Sequence, residues 1–282
     1  MRFAKWQALG NDYIILEAAD LPFELTTERI RAICAPHLGV GSDGILLLDE
    51  PADAAAHVAE LRIFNPDGSE AELSGNGVRE AVLYLKAAGW TDRDEFTILT
   101  AAGEVTPELT GPGSARVGMG RAATSSADYP DGDPSGIGRI EVGGVERPFQ
   151  HVSIGNPQCA IVVGAELDEL DLGEIGPEIE GHELFPNRTN VSFLAIDGSR
   201  ARARIFERGV GETLSSGTGA SGAAVTAFLR GAPSPLVVEL EGGELEVEVG
   251  ADLAVRLTGW AEPVCSGELS PELLAALSEL DR

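Results

Sequence analysis

The sequence predicts an α/β protein of the α+β kind, built as two pseudo-symmetric domains in each of which strands wrap around one central helix. Three observations carry that prediction. A stretch of the chain recurs 142 positions later, each copy contains one helical pattern, and alternating strand patterns flank both. A chain of 282 residues can bury two cores of ordinary size without help from a metal or a disulfide.

Taken in chain order, the first half opens with ALGNDYIILE, and SIGNPQCAIVV matches it in the second, Gly10-Asn11 answering Gly155-Asn156. RIFNPDGSEAELSGNGVREAVLYLKAAG then lies beside RIFERGVGETLSSGTGASGAAVTAFLRG. Phe64 coincides with Phe206, Glu70 with Glu212, Ser74 with Ser216, Gly77 with Gly219 and Gly89 with Gly231. Val78, Ala81, Val82 and Leu85 fall at i, i+3, i+4, i+7, which is one face of a helix that Gly89 stops. The partner positions are Ala220, Ala223, Ala224 and Ala227, small enough for a helix held tightly among strands. Each helix is followed by a strand, a turn and a strand, FTILTAAGEVTPEL and then LVVELEGGELEVEV. The expected domains are 1–120 with 265–282, and 121–264. A Gly-, Ser- and Asp-rich stretch from Arg121 to Gly138 joins them, and the period is too long for a solenoid.

Composition narrows the function. With 46 acidic residues against 20 basic ones, a net charge of -26 repels nucleic acid and anionic lipid. The amino terminus lacks an apolar signal core, and no run approaches the roughly 18 apolar residues of a membrane span, so a soluble cytoplasmic protein is expected. Cys34, Cys159 and Cys265 are scattered and unpaired in sequence, and the four histidines form no ligand motif, so neither a disulfide framework nor a metal site is expected.

Ser74-Gly-Asn-Gly77 and Ser216-Gly-Thr-Gly219 each sit between a strand and a central helix. There the unpaired N–H groups and the positive end of the helix dipole converge on any anion in front. Either serine could equally be an ordinary N-cap. If the halves face each other, a bound carboxylate would lie between two hydroxyls. Held by N–H donors, that carboxylate would acidify its α-proton, one flanking group removing the proton and the other returning it.

Over its whole length the chain resembles the diaminopimelate epimerase family. The segments that carry the resemblance are FAKWQALGNDY, HLGVGSDG, FNPDGSEAELSGNG, SIGNPQCAIV, NRTNVSF and FERGVGETLSSGTG. The resemblance implies cofactor-independent inversion of LL- to meso-diaminopimelate in lysine biosynthesis, a small amino-acid substrate, and a homodimer. Its substrate-binding positions correspond in the first half to Asn11, Asn65, Gly75 and Asn76. In the second half they correspond to Asn156, Asn190, Glu207, Arg208, Gly217 and Thr218. Arg208 suits bidentate recognition of a carboxylate, while Asn11 and Asn65 also fit plain turn chemistry.

The departure lies at the proton-handling positions. The family pattern carries cysteine at both; this chain has Ser74 and Ser216, and Gln158 stands where the pattern has histidine. A thiol titrates near 8.5 and a hydroxyl starts near the 15.7 of water, a gap of about 7 units or nearly 10 kcal/mol for forming the anion. A helix dipole returns only about 1–2 kcal/mol of it. Glu207 is therefore the expected alternative base, because burial can raise a carboxylate toward neutrality. Three readings follow: an epimerase with serine at both positions, an isomerase or dehydratase of the same fold on another amino-acid-like substrate, and a silent amino-acid-binding homologue.

Overall fold

A computed structural model describes residues 1–280; the last two positions of the segment 265–282 lie outside the described residues. The chain divides into unit 1, Met1–Val117 with Gly259–Arg282, and unit 2, Gly118–Thr258. The sequence expectation put the crossings at 120/121 and 264/265.

In unit 1 the chain runs through β1 (Arg2–Ala8), β2 (Asn11–Glu17), α1 (Thr27–Cys34), β3 (Ile45–Asp49), β4 (Glu60–Phe64) and β5 (Glu70–Ala71). It continues into α2 (Gly75–Ala87), β6 (Ile98–Thr100), β7 (Gly103–Val105), β8 (Glu108–Gly111) and β9 (Ser114–Arg121), the last of which leads into unit 2. Unit 2 holds β10 (Ile137–Val142), β11 (Val145–Ser153), β12 (Pro157–Val162), α3 (Leu172–Glu180), β13 (Asn190–Asp197) and β14 (Arg200–Glu207). After these come β15 (Gly211–Thr213), α4 (Gly217–Leu229), β16 (Leu236–Leu240), β17 (Gly243–Val249) and β18 (Ala254–Trp260). β19 (Glu262–Glu268) and α5 (Pro271–Glu279) complete unit 1.

The two sheets obey one plan. Unit 1 has the order β19-β1-β2-β3-β4-β6-β7 with β5 on β4; unit 2 has β10-β11-β12-β13-β14-β16-β17-β18 with β15 on β14. Parallel pairs occur where a helix intervenes, β2 with β3, β4 with β6, β12 with β13 and β14 with β16. A parallel pair requires such a crossover, whereas antiparallel neighbours such as β1 and β2, β10 and β11, and β16 and β17 follow one another through short turns. Within unit 1, Ile14 and Leu16 of β2 pack with Ile30 and Ile33 of α1 and Leu277 of α5. The alternation of side chains along a strand sends Tyr13 and Ile15 to the opposite face, toward α2.

The helical stripe read in the sequence is the buried face: Val78, Ala81, Val82 and Leu85 are all 0% exposed. In α4 the burial is more complete, running unbroken from Gly219 to Ala227. Small residues make this enclosure possible. A Cβ on Gly219 would come within 2.6 Å of Ile205 Cδ1, and one on Gly222 within 3.0 Å of the Gln158 side chain. Among the described residues no helix is long and apolar enough to cross a membrane.

Candidate active site

Each central helix starts at a capping serine. Ser74 and Ser216 have extended backbones, φ -136° and -146°, and each Oγ accepts the N–H three residues on, from Gly77 and Gly219, at 3.1 Å. Both serines are therefore N-caps that satisfy a first-turn donor. Capping leaves each hydroxyl with further hydrogen-bonding capacity, and the two units use it differently.

In unit 1 the remaining capacity of Ser74 meets Tyr13, whose hydroxyl donates to Ser74 Oγ at 3.4 Å. Behind this cap lies a chain of amides. Asn76 Nδ2 donates to Asn11 Oδ1 at 3.1 Å, and Asn11 Nδ2 donates to Asp43 at 2.9 Å. Asn76 is fixed from below by Arg79, which donates to its Oδ1 at 2.7 Å and to the Gly75 carbonyl at 3.0 Å. Arg79 is fully buried, and loss of water pulls its guanidinium down to about 10. Glu80 beside it is equally buried, and burial holds its carboxyl well above the usual range against the attraction of Arg79.

Asn65 behaves differently from the other amides of this half. Its N–H bonds the Ser69 carbonyl, its Nδ2 donates to Ser69 Oγ at 2.9 Å, and its carbonyl accepts from Gly68 N. The side chain is engaged in the turn that joins β4 to β5. Gly68 at φ +85° permits that turn.

Unit 2 places a carboxylate near its serine. Glu207 ends β14 and accepts from Thr213 Oγ1 at 2.9 Å. Burial raises its pKa, and hydrogen bonding from the Thr213 and Ser216 hydroxyls works against that rise. Asn156 donates to Thr218 Oγ1 at 3.2 Å and accepts from Gln158 Nε2 at 2.7 Å. Asn190 donates to the Pro157 carbonyl at 3.0 Å and accepts the Arg208 N–H at 2.9 Å. The Arg208 guanidinium is exposed and rests on the Asn187 carbonyl at 2.8 Å. Gly217 and Thr218 form the first turn of α4, in front of the positive end of its dipole.

The fold thus gathers Asn11, Ser74, Gly75 and Asn76 at one helix start, and Asn156, Glu207, Ser216 and Thr218 at the other. Gln158 is a positioning group for Asn156: it is 0% exposed and packed on Gly222, and its Oε1 finds no partner. Tyr13, Arg79 and Thr213 were not singled out by the sequence. Strand alternation in β2 offered a signal for Tyr13, and the spacing of four residues from Gly75 offered one for Arg79. The cysteines play no part in either cluster. Cys34 and Cys159 are buried with their thiols pushed up by desolvation, and Cys265 is exposed on β19.

The family model described as diaminopimelate epimerase matches residues 3–125 and 150–262. Diaminopimelate epimerase 2 of Nostoc sp. is 40% identical over 281 residues, covering 98% of each chain. The diaminopimelate epimerase of Azoarcus sp. is 39% identical over 275 residues, 95% of this chain and 98% of its own. Among solved structures, a predicted epimerase from Pseudomonas aeruginosa superposes with a TM-score of 0.68 at 20% identity, covering 95% of this chain and 98% of its own. A hydroxyproline epimerase from Agrobacterium vitis with bound trans-4-hydroxy-L-proline gives 0.65 at 16%, over 97% and 93%. At such identities the structures establish a shared fold.

Proposed function

The chain belongs to the diaminopimelate epimerase family and is an isomerase, and from that premise we propose that it inverts the α-carbon of LL-2,6-diaminopimelate to the meso form with serines in place of thiols. The observation that carries the proposal is the half-buried Glu207 carboxylate, its pKa raised by loss of water and its oxygen held by Thr213 at 2.9 Å, beside Ser216 at the start of α4. A carboxylate raised toward neutrality is a competent general base, which an isolated serine is not.

In this reading Glu207 receives the α-proton, directly or through the Ser216 hydroxyl. First-turn N–H groups of a helix start, those of Gly217-Thr218 beside Glu207, hold the substrate carboxylate, whose oxygens take up the developing negative charge. Asn11, Asn156 and Asn190 bind the polar ends of the substrate, with Asn65 presenting its turn and Arg208 its guanidinium. The chemistry uses only groups that the chain carries. A homodimer in the cytoplasm is the assembly and location we assign, on the strength of the family.

The test is incubation with LL-diaminopimelate in D2O, following α-proton loss by NMR and the LL-to-meso ratio by chiral chromatography. Deuterium entry with inversion, abolished in Ser74→Ala and Ser216→Ala, is the expected result. Substrate that binds and keeps its α-proton would exclude epimerisation and favour an altered reaction or a binding role.

A further inference from the structure

Ser74 Oγ accepts two hydrogen bonds, from the Gly77 N–H at 3.1 Å and from the Tyr13 hydroxyl at 3.4 Å. A hydroxyl has two lone pairs and one proton. With both lone pairs turned toward the protein, the function left to Ser74 is to donate its own proton outward. Tyr13 is 6% exposed and sits on β2 opposite Trp6 of β1, on the face toward α2.

Residue 44 decides that the phenol can reach this position. A Cβ on Gly44 would lie 2.7 Å from Tyr13 Cε1 and 2.3 Å from the Phe64 carbonyl oxygen. The Ile14 N–H bonds the Gly44 carbonyl at 3.0 Å, which locks that segment beside β2. The ring of Tyr13 therefore fills space that any side chain at position 44 would claim.

We propose that Tyr13 and Ser74 form a proton relay that delivers a proton to the substrate α-carbon; this inference rests on the epimerase reading above. A phenol, titrating near 10, is about six orders of magnitude more acidic than a hydroxyl near 15.7. As the Ser74 O–H bond breaks and a Cα–H bond forms on the carbanion, the Tyr13 O–H bond breaks and its proton passes to Ser74 Oγ. Ser74 ends neutral and Tyr13 ends as a phenolate, next to the positive start of α2. The negative charge of the carbanion thus ends on Tyr13, and exchange with water restores the phenol. The 3.4 Å contact exceeds the usual 2.5–3.0 Å for O–H···O, so it must shorten by about 0.5 Å when substrate arrives, as catalytic hydrogen bonds commonly do.

Two variants test the relay. Tyr13→Phe keeps the ring and removes the hydroxyl; a ring-fluorinated tyrosine placed at position 13 keeps the hydroxyl and makes it more acidic. The relay requires Tyr13→Phe to lower kcat by about 10²–10⁴-fold with KM little changed and the urea midpoint unchanged. It also requires the fluorinated protein to lose kcat at lower pH than the parent on the alkaline side, because the donor must be protonated to act. Wild-type kcat in Tyr13→Phe, or an alkaline limb indifferent to fluorination, overturns the relay while leaving the epimerase intact. A parent protein that takes no deuterium from D2O overturns both.

Discussion

The two helix starts share a backbone plan and differ in what meets the capping serine. In unit 1 Ser74 accepts from a phenol. In unit 2 Ser216 lies with a carboxylate whose pKa burial has raised. Repetition of a domain produces two equivalent N–H cradles, yet inversion at carbon needs one group that removes a proton and another that supplies one. Unequal neighbours give the two capping serines different chemistry. A thiol can serve in either role near neutral pH; a serine cannot, and so its neighbour must fix the role for it.

The largest expected effect is on the carboxylate. Glu207→Gln should lower turnover by about 10²–10⁴-fold. Glu207 acts deprotonated and its folded pKa is raised, so in the parent protein kcat falls with falling pH at a point above the ordinary carboxylate range. That acid limb should vanish in the variant. Unchanged turnover would remove the difference between the two serines altogether.

A second comparison concerns packing. A Cβ on Gly219 would meet Ile205 atoms at 2.6 and 2.9 Å, whereas one on Gly77 would meet Leu46 Cδ2 at 3.0 Å. Gly219→Ala should therefore destabilise by about 1–3 kcal/mol in urea titration, since overpacking costs that much. Gly77→Ala should stay within about 1 kcal/mol of the parent, because alanine also favours the helix. Equal losses would show that the two helices are enclosed equally.

The smallest effect concerns Glu80, which has no equivalent in α4, where Gly222 occupies the matching place. Its folded pKa is raised above the unfolded value, so the stability it permits is complete below the unfolded pKa and declines as pH rises through the folded one. Glu80→Gln should raise the urea midpoint at neutral pH by about 1 kcal/mol equivalent and leave it unchanged in acid. A gain independent of pH would place the cost elsewhere than in the charge.

Much of this was legible in the sequence. The repeat exposed the shared strand order, and the spacing of Val78, Ala81, Val82 and Leu85 identified the buried face of α2. Both serines were recognisable as helix starts, and Glu207 as a carboxylate near one of them. Tyr13 was not legible as a partner of Ser74, because 61 residues separate them and nothing local distinguishes its hydroxyl from that of any strand tyrosine. The space that admits it depends on the missing side chain at Gly44, which is a property of packing. Asn65 reads as a ligand by resemblance, and the structure shows its amide held in a turn with Ser69; neighbouring glycine and aspartate favour such a turn.

The proposed roles, Glu207 as base and Tyr13 with Ser74 as acid, are tested most directly by giving Tyr13→Phe the LL and meso isomers separately in D2O. With the Glu207 side intact and the Tyr13 relay removed, deuterium should enter one isomer with its configuration kept, the other should stay protonated, and inversion should be lost. Equal exchange from both isomers, or inversion at the parent rate, would contradict the assignment of base to Glu207 and acid to the Tyr13–Ser74 pair.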